Sequence, residues 1–219
     1  MARTPFPGRI SAVVAQEKLR RNLGRRVNVF IDGRFSFALD AGLAMDKGLR
    51  PDLVLDEAAL EALIREDGDA RAYARALHFL GYRARSAAEI VTRLKRDEWP
   101  EEVIERVIKR LQREKLVDDA NFATLWVEHR SFSRPRGAYA LRQELRQKGV
   151  ENESIEAALP DAEQEVENAV EALRRKLYLW ANLDERARRD KAIQFLKRRG
   201  FGFSVAKAAL THLDEERDE

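Results

Sequence analysis

Residues able to do covalent or metal chemistry are thinly spread along this 219-residue chain. The three histidines, His78, His129 and His212, each stand alone on a helix-forming stretch. None belongs to HExxH or to any other closely spaced ligand set, so core or interfacial packing is their expected role. Cysteine is absent, which removes disulfides, thiol nucleophiles and thiolate metal sites together. No GxxxxGK[ST] loop offers a phosphate cradle, and Gly200-Phe201-Gly202 is too short for a dinucleotide fingerprint. The hydroxyls of Ser86 and Ser133 read as cap and loop groups with no base nearby in sequence. Carboxylates are plentiful, but their spacing singles out no acid–base pair. The chain reads as a non-enzyme that needs no metal and no cofactor.

The chemistry left is recognition by cations. Basic residues recur in and before one class of helix: Arg83 and Arg85, then Arg134, Arg136, Arg142 and Arg146, then Lys197 and Arg198. A basic edge repeated along an array can line a track for an acidic partner. The competing reading is solubility plus a favourable charge at helix C-termini. The amino-terminal 50 residues add 10 basic side chains against 4 acidic ones, leaving the remainder at −3 within a total of +3. In that head Arg20, Arg21, Arg25 and Arg26 precede a strand pattern and are expected to stay solvent-exposed, where they can steer toward a polyanion.

These cations need elements to hold them, and the chain supplies elements at a fixed interval. Leu94, Leu145 and Leu196 fall 51 residues apart, as do Trp99, Val150 and Phe201, and Ile108, Leu159 and Leu210. Apolar anchors at one interval indicate one packed unit used repeatedly. Each unit reads as three helices. In the first, Tyr73, Ala74, Leu77 and Leu80 line one face, Ser86 and Glu89 form a capping box, and Pro100 opens the third helix. The third unit opens with a longer helix around 166–180. Trp99 and Trp126 are expected in the core, with Trp180 open between core and interface anchor. Ahead of the repeats, residues 26–39 alternate with period two around Asp32-Gly33, a hairpin signal, and residues 10–15 offer a third strand. Asp56 caps a leading helix that Gly68 is expected to end. The expected class is mainly α: an elongated tandem array of three-helix repeats with a small amino-terminal hairpin-containing segment. The expected domains are residues 1–66, 67–117, 118–168 and 169–219. No signal-peptide pattern or membrane-length apolar run is evident, so a cytoplasmic protein is expected.

Several short motifs occur together in a specific order. They are Ile31-Asp32-Gly33, Tyr73-Ala74 with Leu77, Arg85-Ser86-Ala87-Ala88-Glu89, Leu94, and Val103-Ile104. Leu116-Val117-Asp118-Asp119, Phe122-Ala123, Arg136-Gly137, Glu144-Leu145 and Lys148-Gly149-Val150 follow. Over residues 25–215 this order resembles the RecX family of bacterial recombinase regulators. The resemblance implies a helical-repeat protein that lodges in the groove of the RecA nucleoprotein filament; a monomer is the expectation for an array with a polar exterior. It also implies suppression of strand exchange, ATPase and coprotease activities, by capping or by disassembly, with no catalytic residues. An accessory contact with single- or double-stranded DNA stays open, and the basic strand-bearing head departs from the family pattern. Two rival readings remain: a direct DNA-binding protein with helix-turn-helix-like units, and a repeat scaffold for another protein. Against the first stand Glu89, Asp97, Glu98, Glu144 and Asp190, which would repel phosphates.

Overall fold

The computed structural model describes residues 4–16 and 25–218. Four strands open the fold: β1 (Gly8–Ala15), β2 (Arg26–Ile31), β3 (Arg34–Asp40) and β4 (Val54–Leu55). They form one antiparallel sheet in the order β3-β2-β1-β4. β2 and β3 are joined by the two-residue turn Asp32-Gly33, both at positive φ (49° and 78°), the geometry that matches the right-handed twist of a hairpin. Register shifts between Val29 and Phe30, so Phe37 faces the core while Phe35 pairs with Phe30 on the other side. The ring centroids of Phe30 and Phe35 lie 6.0 Å apart, edge to face. The extra residue, Ser36, is buried, and its hydroxyl donates to the Phe6 carbonyl and accepts from the Phe6 amide. Phe37 is thus core, whereas Phe30 and Phe35 are only partly covered.

Helices α1 (Ala41–Asp46) and α2 (Glu57–Leu80) cover the inner face of the sheet. Asp56 caps α2, accepting from Ala59 N at 2.8 Å. Gly68 does not end this helix; α2 runs through it. A mid-helix glycine costs about 1 kcal/mol, and a tertiary tie at the preceding residue offsets that. Buried Asp67 takes both guanidinium nitrogens of Arg26 at 3.1 Å and the Asp40 amide at 2.8 Å, fastening α2 to the sheet. The boundary expected between residues 66 and 67 therefore falls inside one helix. The buried face of its second half is centred on Ala72 and Ala76; Leu77 and Ala74 face solvent.

The remaining helices are α3 (Ala87–Arg96), α4 (Glu101–Arg113), α5 (Asp119–Ser133), α6 (Ala138–Gln147) and α7 (Asn152–Ala158). They continue with α8 (Ala162–Arg174), α9 (Glu185–Arg198) and α10 (Phe203–Asp218). α8 starts earlier than expected because Asp161 caps it, and it stops at Arg174; residues 177–180 form a separate 3-10 turn. The boundary expected between residues 168 and 169 thus falls inside α8. The chain forms two compact units, Met1–Tyr82 with Leu94–Lys109 and Arg83–Arg93 with Arg110–Glu219.

The 51-residue interval reaches down to the backbone. Leu94, Leu145 and Leu196 are all fully buried. Each leucine carbonyl accepts from the amide five residues on, Trp99, Val150 or Phe201, at 3.1 Å. The residue before each of those amides has positive φ: Glu98 (61°), Gly149 (73°) and Gly200 (86°). This is a left-handed helix stop used three times. Val150 and Phe201 are core, whereas Trp99 is half-buried with Arg71 stacked 5.3 Å from its ring centroid. Trp126 and Trp180 are half-buried too. All three histidines are exposed, contrary to expectation. A buried imidazole would need partners for both ring nitrogens, and the helix faces turned to solvent spare them that.

Candidate functional site

The basic residues ahead of α3 and α6 gather where one repeat meets the next. At the first junction Ser86 and Glu89 form the capping box: Glu89 N donates to Ser86 Oγ at 3.2 Å and Ser86 N to Glu89 Oε2 at 3.4 Å. Ser86 Oγ also donates across the junction to the Lys148 carbonyl at 2.6 Å. The Ala87 amide donates to Asp119 Oδ1 at 2.8 Å, so α3 is capped by a carboxylate from the following repeat. Glu89 is the electrostatic centre. Arg83 lies at 2.8 Å, Lys148 at 2.7 Å and Arg85 at 3.9 Å from its carboxylate. Burial alone would raise the Glu89 pKa, but hydrogen bonds from Arg83 and Lys148 outweigh it and hold the group at about 2. Asp119 moves the other way: burial first, then Asp118 and Glu151, push it up against the pull of the Ala87 amide. Gly149 closes the contact, because a Cβ there would meet Ala88 Cβ at 2.3 Å.

The second junction is the same place one interval later, with one decisive change. Gly137 stands where Ser86 stood and donates its amide to the Arg199 carbonyl at 3.0 Å. Arg199 is the counterpart of Lys148. Ala138 N donates to Glu165 Oε1 at 2.7 Å, again a cap from the following repeat. Gly200 packs on Ala140, where its own Cβ would come within 2.4 Å of Ala140 Cβ. Ala140 holds the position of Glu89, so the central carboxylate is gone. Four arginines converge there. Arg199 Nη1 donates to Pro135 O at 3.1 Å, and Arg175 donates to Ser133 O at 3.1 Å and Phe132 O at 3.2 Å. Arg134 and Arg136 lie on the loop so held. Arg136 reaches Glu144 at 3.0 Å and Arg175 reaches Glu171 at 2.8 Å. Among the described residues Arg134 and Arg199 have no carboxylate within ion-pair distance. Burial first, then Arg136, Arg134 and Arg175, press the Arg199 pKa below the ordinary arginine value.

Comparison with known proteins meets this arrangement repeat by repeat. Family models for the first, second and third three-helix domains of RecX match residues 72–111, 118–159 and 163–210. The chain belongs to the RecX family. A regulatory protein RecX from Limosilactobacillus reuteri is 33% identical over 90% of this chain and 74% of its own. That of Bacillus subtilis is 32% identical over 89% and 74%. A crystal structure of a regulatory protein RecX is similar with a TM-score of 0.71 and 31% identity, covering 94% of this chain and 100% of the other. That of RecX from Lactobacillus salivarius, at 24% identity and a TM-score of 0.63, covers 68% and 98% and shares the fold. The Limosilactobacillus reuteri and Bacillus subtilis relatives are named regulatory proteins. No group of three or more His, Asp or Glu suited to a metal occurs among the described residues. No described helix is long and apolar enough to cross a membrane.

The expected site residues of this RecX-family chain divide into several groups. Arg83 and Arg85 meet at the first junction, and Arg134 and Arg136 at the second. Arg142 and Arg146 sit on α6, paired with Glu156 at 2.6 Å and hydrogen-bonded to Asn152 at 3.2 Å. Lys197 and Arg198 stand exposed in the last turn of α9. Arg20 and Arg21 lie outside the described residues. Arg25 is exposed, but Arg26 is not: its side chain is 12% accessible. Besides Asp67 it donates to the Ala38 carbonyl at 2.6 Å. A cation at the first position of β2 points into the sheet–helix contact, so the exposed-head expectation fails there. Lys148 and Arg199 belong to the same recurrent basic set in the sequence, and the 51-residue interval places them at equivalent stops. Arg175 has no periodic counterpart and left no signal.

Proposed function

We propose that this chain is a non-enzymatic modulator that binds the RecA nucleoprotein filament in its helical groove and inhibits recombinase, ATPase and coprotease activities. The second repeat junction is the centre of contact. The observation carrying this reading is the replacement of Glu89 by Ala140 at equivalent positions, which leaves Arg134 and Arg199 without a carboxylate partner. Of the two, Arg134 is exposed, and an exposed guanidinium without an internal ion pair gains most from an acidic surface or a phosphate backbone. The first junction, whose cations are drawn onto Glu89, plays a structural part.

A second reading, direct DNA binding, is favoured by one feature. Phe132, 84% exposed, sits at the head of the arginine-bearing loop, and aromatic and cationic groups together suit single-stranded nucleic acid. The test is inhibition of RecA ATPase on single-stranded DNA by wild type, by Arg134→Glu/Arg136→Glu and by Arg83→Glu/Arg85→Glu, with helicity checked by circular dichroism. Loss of inhibition confined to the first pair supports the proposal. Equal loss from both pairs places the contact elsewhere.

A further inference from the structure

The loop between α5 and α6 is held from one side. Every cross-repeat polar contact of residues 132–138 described above comes from the third repeat. Arg175 donates to the carbonyls of Phe132 and Ser133, and Arg199 to that of Pro135. The Arg199 carbonyl accepts from Gly137 N, and Glu165 accepts from Ala138 N. Two of these groups did not need a protein partner. Phe132 and Ser133 are exposed residues at the C-terminal end of α5, where water commonly satisfies the last helix carbonyls. Placing Arg199 beside Arg134, Arg136 and Arg175 also has an electrostatic cost: burial first, and then these three cations, depress its pKa. Stability alone would favour a neutral donor at either position. Arg199 is further oriented by stacking 4.7 Å from the Phe195 ring centroid, and Arg175 by its pair with Glu171.

We infer that Arg175 and Arg199 are positioning residues: their planar guanidiniums clamp the backbone of residues 132–135 and so preset the direction in which Arg134 and Arg136 are presented to the partner. This rests on the reading of Arg134 and Arg136 as contact residues. The third repeat then works through the second, and the loop arginines arrive at the partner with their ordering cost already met. Lysine at positions 175 and 199 keeps the charge and loses the rigid two-nitrogen fork.

The experiment uses the full chain carrying Arg175→Lys/Arg199→Lys, with Arg175→Lys alone as a milder variant, each first checked for folding by chemical denaturation. Two readouts are taken: amide hydrogen exchange of residues 132–138, and capture of the RecA filament on single-stranded DNA. Capture is measured in the wild-type background and in Arg134→Ala/Arg136→Ala. Exchange should quicken in that loop alone. Capture should weaken by roughly tenfold in the wild-type background, the scale of a charge-assisted hydrogen bond, and by less than about twofold when the loop arginines are absent. Unchanged exchange, or an equal loss of capture in both backgrounds, overturns the positioning role. If Arg134→Ala/Arg136→Ala alone captures the filament as wild type does, the contact reading falls, and the positioning role with it. Quickened exchange in the lysine variants would then show a clamp that is structural only.

Discussion

Ala140 occupies the repeat position that Glu89 holds 51 residues earlier, and the two junctions differ in charge because of it. Around Glu89 three cations share one carboxylate. Around Ala140 Arg175 and Arg199 turn to backbone carbonyls, and Arg136 and Arg175 pair with Glu144 and Glu171 rather than with one shared carboxylate. One design of junction thereby yields a joint built round a central carboxylate and a joint without one.

The joint around Glu89 is pH-sensitive in a defined direction. Glu89 titrates at about 2 in the folded chain, below an ordinary carboxylate, so its contribution is present above about pH 4.5 and is lost as pH falls through 2. Glu89→Gln should cost on the order of 2–3 kcal/mol at pH 7 and flatten the acid limb of the stability curve. Asp119, pushed up by burial, has the opposite sign: folding penalises its charged form relative to an exposed carboxylate. Asp119→Asn, whose amide oxygen can still accept from Ala87, should be neutral or stabilising at pH 7. Urea denaturation across pH checks both; a larger loss from Asp119→Asn than from Glu89→Gln would reverse the assignment.

The helix stops make a paired prediction. Gly200 has φ of 86° and lies against Ala140, so Gly200→Ala should cost at least about 2 kcal/mol through strain and overlap. Glu98 sits in the same conformation without glycine, and Glu98→Gly should stabilise by about 0.5–1 kcal/mol. Thermal denaturation of the two variants should shift in opposite directions.

The buried anchors set a third contrast. Leu145 is fully buried and Arg146 exposed. Leu145→Ala should cost about 2–5 kcal/mol and Arg146→Ala no more than about 0.5 kcal/mol. Equal denaturation midpoints would contradict the repeat register.

The arginines of the head separate in the same way. Arg26→Glu would leave Asp67 facing a like charge in a closed contact and should destabilise the chain by about 3–5 kcal/mol, whereas Arg25→Glu should leave stability unchanged. Circular dichroism melts of the two single variants distinguish them. A joint reversal of the head arginines would confound binding with unfolding.

What the sequence carried was local or periodic. The Asp32-Gly33 hairpin, the Ser86–Glu89 capping box and the burial of Leu94, Leu145 and Leu196 each follow from a few residues at known spacing. What it hid was set by distant partners. Gly68 looked like a helix end because the ties of Asp67 to Arg26 and Asp40 lie 41 and 27 residues away. β4 has two residues and no pattern of its own. The roles of Arg175 and Arg199 could not be read from side-chain types, because their partners are backbone carbonyls, which every residue has. The bulge at Ser36 moved Phe35 to the other face, a one-residue change that alternation cannot foresee.

The central claim is that the partner is the nucleoprotein filament rather than DNA itself. It is tested most directly by titrating the full chain, side by side at physiological salt, against RecA filament on single-stranded DNA with nucleotide and against the same DNA alone. The account predicts much tighter binding to the filament; equal or stronger affinity for the naked DNA would contradict it.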